Sequence, residues 1–118
     1  PSEAQWEWAC RARSKTRFPW GAGEEGGERF ANVADQSAKR RFSSWTTCGF
    51  DDGQALLAKV GSYEANRYGL KDMIGNVWEW CVDGYQGNYP GDGATEAPAA
   101  AGASRVLRGG SWADSPAY

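Results

Sequence analysis

Hydrophobic and polar positions keep a helical period only at the start of the chain. Trp6, Ala9 and Cys10, with the stem of Arg13, fall at i, i+3, i+4 and i+7 and mark one buried helix face. Ser2-Glu3-Ala4-Gln5 has the form of a capping box, with Ser2 as N-cap and Gln5 reaching back to it. Glu3 and Glu7 lie toward the start and Arg11 and Arg13 toward the end, which suits the helix dipole. The pattern predicts a helix over residues 2–12, ended by the polar run Arg13-Ser14-Lys15.

From residue 17 to about residue 68 the periodicity disappears and punctuation takes over: Phe18-Pro19-Trp20-Gly21, Gly26-Gly27 and Asp51-Asp52-Gly53. Loops this long are uncommon unless they are functional or held by something other than regular backbone pairing. Aromatic residues recur through the region (Phe18, Trp20, Phe30, Phe42, Trp45, Phe50, Tyr63), so ordered loops are expected. Two strands are predicted, at residues 77–82 and 105–108. Trp78 and Trp80 alternate onto one face of the first and are expected in the core. Glu79 points away from that face and needs a partner. Between the strands, residues 84–104 are rich in Gly, Ala and Pro, with a turn expected at Pro90-Gly91-Asp92-Gly93 and a mobile insertion around residues 99–103. No internal repeat is present.

Composition sharpens this picture. Of the 118 residues, 18 are Ala and 16 are aromatic, 7 of them Trp, whereas Val, Ile and Leu together supply 10. So few branched aliphatics exclude a doubly wound sheet, whose buried strands read as Val/Ile/Leu runs. No stretch approaches the roughly 20 consecutive apolar residues of a membrane span, and no charged-then-apolar leader is visible, so localisation stays open. With 13 basic against 15 acidic side chains the net charge is −2, and nothing global points to nucleic acid. Residues 10–41 carry eight basic and four acidic side chains, and residues 42–104 three basic and eight acidic. The first reads as a solvated face; the acidic, Gly-rich middle suits a hard cation held by oxygen.

Histidine is absent, which excludes Ser-His-Asp and Cys-His catalysis within this chain, and His-ligated zinc or iron. Cys10, Cys48 and Cys81 form no CxxC pair and are expected as buried small hydrophobes.

Five blocks in order then carry a resemblance. They are residues 1–12 (PSEAQWEWACRA), Phe18-Pro19-Trp20-Gly21, Ala31-Asn32-Val33-Ala34-Asp35-Gln36-Ser37, residues 68–81 (YGLKDMIGNVWEWC) and residues 105–112 (RVLRGGSW). Together they resemble the sulfatase-modifying-factor family, the formylglycine-generating enzymes and their relatives. The resemblance implies an α+β fold of low regular content, an irregular variant of the C-type lectin fold with bound calcium. It also implies that residues 1–118 are a single domain incomplete at both ends, marginal in stability on its own.

By the same resemblance, one calcium site takes Asn32, Val33, Asp52 and Gln54, with Asp51 an alternative carboxylate. A second takes Asp72, Gly75, Val77 and Glu79, with Asn76 steadying the turn. Carboxylates with convergent carbonyls are hard ligands suited to Ca²⁺ at about 2.3–2.6 Å. The family's groove follows the Gly109-Gly110 pair, so Trp112, Asp114 and Tyr118 are the expected groove residues.

The family activity is O₂-dependent oxidation of a cysteine in a sulfatase Cys-x-Pro-x-Arg segment to Cα-formylglycine, using copper bound by two cysteines. The first of these falls at Asp114 and the second one position past Tyr118. Aspartate is a hard ligand and does not replace a thiolate toward Cu(I), so copper is not expected here. The catalytic residues are therefore unassigned, and the enzyme reading stands beside a noncatalytic, calcium-stabilised lectin-like module that binds a protein or peptide ligand. A third group of relatives, which make carbon–sulfur bonds, uses a His-rich iron site that this chain lacks. In some relatives the cysteine matching Cys10 is disulfide-bonded to a later segment.

Overall fold

The computed structural model describes residues 1–87, 99–100 and 102–116. Helix α1 (Glu3–Arg11) starts as its sequence predicts: Ser2 Oγ accepts the Gln5 N–H at 3.2 Å and Gln5 Oε1 accepts the Ser2 N–H at 3.0 Å. It stops because Ala12 turns left-handed (φ 44°) and Arg13 follows at φ 71°, so Arg13 lies beyond the helix and is exposed. Asn66 Nδ2 donates to the Ala9 carbonyl at 2.8 Å and to Cys10 at 3.3 Å, serving two of the carbonyls a helix end leaves open.

A 3₁₀ turn (Gly27–Arg29) leads into β1 (Ala31–Asn32), followed by α2 (Gln36–Arg41), β2 (Ile74–Gly75), β3 (Glu79–Gly84) and β4 (Arg105–Arg108). The two-residue strands β1 and β2 pair in parallel, with Ala31 opposite Ile74 and Asn32 opposite Gly75. Strands β3 and β4 form an antiparallel ribbon with Glu79 opposite Arg108 and Trp80 opposite Leu107. α2 falls inside the region read as loop. Its signals were short but present: Asp35 caps the Ser37 and Ala38 N–H groups, and Lys39, Arg40 and Arg41 occupy the last turn.

Two small cores share Ile74. In one, Trp6 and Cys10 of α1 pack on Cys81 and Val106 of the ribbon, with Met73 and Ile74 alongside. In the other, Ala31, Val33 and Cys48 pack with Trp20, Phe50 and Ile74. All three cysteines are buried, as expected, and none is disulfide-bonded among the described residues. Burial pushes the Cys10 and Cys48 thiols up to about 12, which leaves them protonated and unreactive.

The ribbon corrects the expectation for Trp78 and Trp80. They are not core: they are 45% and 64% exposed, and the strand presents Cys81 and Glu79 inward instead. Within β3, Glu79 and Cys81 are the more buried positions and Trp80 and Val82 the exposed ones, because α1 brings to the inner face an indole that pairs with the Glu79 carboxylate. The strand also begins at Glu79 rather than residue 77, since Gly75 and Asn76 take positive φ (79° and 61°) and hold residues 75–78 in a turn. The turn expected at residues 90–93 and part of the insertion at 99–103 lie outside the described residues. Among the described residues no helix is long and apolar enough to cross a membrane.

Candidate functional site

The turn at residues 75–78 is where separate segments meet. Gly75 N–H donates to the Gly109 carbonyl at 2.8 Å, Asn76 N–H to the Asn32 carbonyl at 2.7 Å, and Trp112 N–H to the Asn76 carbonyl at 3.0 Å. Gly75 is obligatory here, since a Cβ would overlap the Asn32 carbonyl oxygen and φ is already +79°. The Asn76 side chain reaches away from its own turn. Its Oδ1 accepts the Ala58 N–H at 3.0 Å and Asn32 Nδ2 at 3.2 Å, and its Nδ2 donates to the Ala58 carbonyl at 3.3 Å. Asn76 thus ties β1, the 52–63 loop and the residues after β4 to one point.

Of the first set of sequence-predicted ligands, Asn32 is fully buried and Val33 nearly so. Asn32 Nδ2 is held by the Leu56 carbonyl at 3.0 Å and by Asn76, and its Oδ1 is buried with no hydrogen-bond partner. The Asp52 carboxylate accepts the Tyr63 hydroxyl at 2.8 Å and the Gln54 N–H at 2.6 Å; Gln54 itself is exposed. Partial burial raises the Asp52 carboxyl to about 6, against the two hydrogen bonds that lower it, and the nearby Asp35 charge adds to the rise. Burial, and then the bond to Asp52, raises the Tyr63 phenol. Asp35, absent from the predicted set, is fully buried and organises the neighbourhood. One oxygen caps α2 and the other accepts the Asp52 N–H at 2.5 Å. Asp51, the alternative carboxylate, faces outward to Arg40 at 2.5 Å.

Of the second set, Asp72 takes a left-handed conformation (φ 58°) and accepts the Gly61 N–H through Oδ2 at 2.6 Å, while its Oδ1 is buried without a partner. Glu79 Oε2 accepts the Trp6 indole N–H at 2.7 Å. The Val77 and Met73 carbonyls and the Trp6 ring converge on Gly109, whose missing Cβ would sit 4.0, 3.5 and 3.4 Å from them. Each predicted set therefore contains one buried oxygen that no group among the described residues satisfies. A buried acceptor left unsatisfied costs about 1–3 kcal/mol, and a hard cation meets that need. Among the described residues no cluster of three or more His, Cys, Asp or Glu side chains is placed to hold a metal.

Past β4, Asp114 closes a tight turn on Ser111. Its Oδ2 accepts the Ser111 N–H at 2.8 Å and pairs with the Ser111 hydroxyl at 2.5 Å, while its own N–H donates to the Ser111 carbonyl. Its carbonyl receives the Ala34 N–H at 2.9 Å, which fastens this turn to the residues after β1. The Trp112 ring stacks on Trp45 with centroids 5.7 Å apart, and Phe42 stacks on Trp45 at 4.3 Å. A cavity of about 550 Å³ lies beside the turn, lined by Arg17, Phe18, Trp78, Arg108, Ser111 and Asp114 among others. Of the three expected groove residues Asp114 lines it, Trp112 does not, and Tyr118 lies outside the described residues.

The family model for the sulfatase-modifying factor enzyme 1-like domain matches residues 1–118. A formylglycine-generating enzyme of Streptomyces coelicolor is 39% identical over 115 residues, covering 95% of this chain and 35% of that protein. A hercynine oxygenase of Mycobacterium tuberculosis is 34% identical over 128 residues, covering 99% of this chain and 26% of that protein. The solved structure of PvdO from Pseudomonas aeruginosa superposes with a TM-score of 0.69 at 28% identity, over 98% of this chain and 41% of that one. The chain belongs to the sulfatase-modifying-factor family, and it spans about a third of the length of the Streptomyces relative.

Proposed function

We propose that this chain is the central part of a calcium-stabilised, ligand-binding domain of the sulfatase-modifying-factor type, with an irregular lectin-like architecture and without formylglycine chemistry at Asp114. The observation that carries the reading is the Ser111–Asp114 turn. Where the resemblance calls for a copper-binding thiolate, the chain has a carboxylate already committed to two hydrogen bonds with Ser111. A soft Cu(I) centre gains nothing from such a ligand. The Cys10 thiol, which lines the same cavity, is held protonated by its burial.

Calcium would be held by Asn32, Val33, Asp52 and Gln54 at one site and by Asp72, Gly75, Val77 and Glu79 at the other. The orphaned Asn32 Oδ1 and Asp72 Oδ1 support one ligand in each set. The ion supplies positive charge that satisfies buried oxygens and fixes the loops; it is assigned no chemical step. The partner is a protein or peptide segment seated beside the turn, where Arg17, Phe18 and Trp78 line the cavity.

Two experiments test this. Chelation, and separately Glu79→Ala, should each lower the melting temperature, the substitution by a stability loss of about 2–3 kcal/mol; an unchanged curve in both sinks the calcium reading. Incubation of the full chain with Cu(I), O₂ and a Cys-x-Pro-x-Arg peptide should leave the peptide mass unchanged. The enzyme reading is favoured by the 39% identity to a formylglycine-generating enzyme, and an aldehyde product in that assay establishes it instead.

A further inference from the structure

We propose that Trp6 is a positioning residue for the cation held by Glu79, acting through its indole N–H rather than only through its apolar ring. The inference rests on the calcium reading above and extends it to a residue outside both ligand sets. The Trp6 side chain is 4% exposed, and its Nε1 donates to Glu79 Oε2 at 2.7 Å, a short bond of the charge-assisted kind. This bond fixes the plane and direction of the Glu79 carboxylate, which would hold the cation with its remaining lone pairs.

The indole is itself clamped. The Arg108 guanidinium lies over its ring, 5.0 Å from the centroid, and is held there by Glu7 and, at 3.8 Å, by Glu3. The ring edge approaches the backbone of Gly109 closely, because a Cβ there would lie 3.4 Å from it. Helix α1 fixes the height of Trp6 through its own N-terminus, where Glu3 N–H donates to Asp83 of β3 at 2.8 Å and Val82 N–H donates to the Pro1 carbonyl at 3.0 Å. Helix, ribbon and turn thus converge on a single carboxylate orientation. Ligand carboxylates that are themselves hydrogen-bonded lose about 10- to 100-fold in metal affinity when the outer partner is removed.

The test separates the hydrogen bond from the packing. In the full chain Trp6 is replaced by β-(3-benzothienyl)alanine, which keeps the bicyclic shape and lacks the N–H, and in parallel by Phe. Calcium affinity is measured by calorimetry, and melting is recorded in excess chelator. We expect the isostere to weaken calcium binding about tenfold while the chelated protein melts as the wild type does, and Trp6→Phe to weaken binding at least as much. Equal affinity of isostere and wild type overturns the proposal, since a residue that only packs predicts that result. A reading that does not depend on any variant comes from the wild type: the ¹⁵N-indole resonance of Trp6 should shift as calcium is added. A wild type that binds calcium with no such shift also overturns it. A wild type that binds no calcium brings down the underlying calcium reading and this proposal together, an outcome distinct from the other two.

Discussion

The turn at residues 75–78 and the β3–β4 ribbon lie side by side and are ordered by opposite means. Around the turn, polar side chains do much of the fastening: buried Asn32, Asn76 and Asp35, and half-buried Asp72, each bond backbone of another segment. The ribbon buries Cys81 and Val106 against α1, and on its other side leaves Trp80, Val82 and Leu107 at 64%, 41% and 38% exposed. Buried polar networks are costly when incomplete and rigid when complete, so the unpartnered Asn32 Oδ1 and Asp72 Oδ1 are where this one is most open to a ligand. An apolar face tolerates substitution as long as nothing covers it. The specificity of this chain therefore resides in its asparagines and aspartates, and its tryptophans divide between anchors such as Trp6 and exposed surface such as Trp80.

The sharpest way to break the comparison is Gly75→Ala. Overlap with the Asn32 carbonyl and a φ of +79° act together, and a loss of about 4 kcal/mol or more is expected, read as failure to recover folded protein or a large drop in denaturation midpoint. Next comes Asn76→Ala, which strips partners from both Ala58 backbone groups and from Asn32 Nδ2; urea denaturation should show a loss of about 2–4 kcal/mol.

A smaller effect follows from Asp52, whose carboxyl is raised to about 6 in the fold, above its value in an unfolded chain. The folded state then binds the proton more tightly, so without calcium stability should fall as pH rises from about 4 to 6, by about 1 kcal/mol once solvent screening is allowed for. With saturating calcium the sign should reverse, because a ligating carboxylate must be deprotonated; melting curves across that pH window with and without chelator decide it. The smallest effect is expected from Trp80→Ser, within about 0.5 kcal/mol. A loss of several kcal/mol in the full chain would show that the outer face of the ribbon is covered there.

What could be read from the sequence was local. The capping box of α1, the burial of Cys10, Cys48 and Cys81, and the strand at residues 105–108 each depend on a few neighbouring residues and were found as expected. Trp78 and Trp80 were misplaced because period-2 alternation names two faces without saying which one the rest of the molecule covers. Size argued for the tryptophans, whereas the indole of Trp6 favoured Glu79 on the inner face. The β1–β2 pair joins segments more than forty residues apart through two residues each, too short for any pattern to announce. Asp35 carries a signal of its own, since an Asp two residues before Ser37 is a capping residue for the start of α2. No spacing in the sequence announces the oxygens of Asn32 and Asp72 that are left without a partner among the described residues.

The bond between Asp114 and Ser111 makes the side chain at 114 part of the turn's own closure. A cysteine at position 114 would bring a thiol and at the same stroke remove the acceptor that closes the turn, leaving the Ser111 N–H and hydroxyl to find other partners. The turn also carries the backbone link from Asp114 to Ala34, so its loosening would propagate to the residues after β1. Placing a thiol at position 114 is thus a two-site problem, in which position 111 has to change with 114 if the turn is to stay closed.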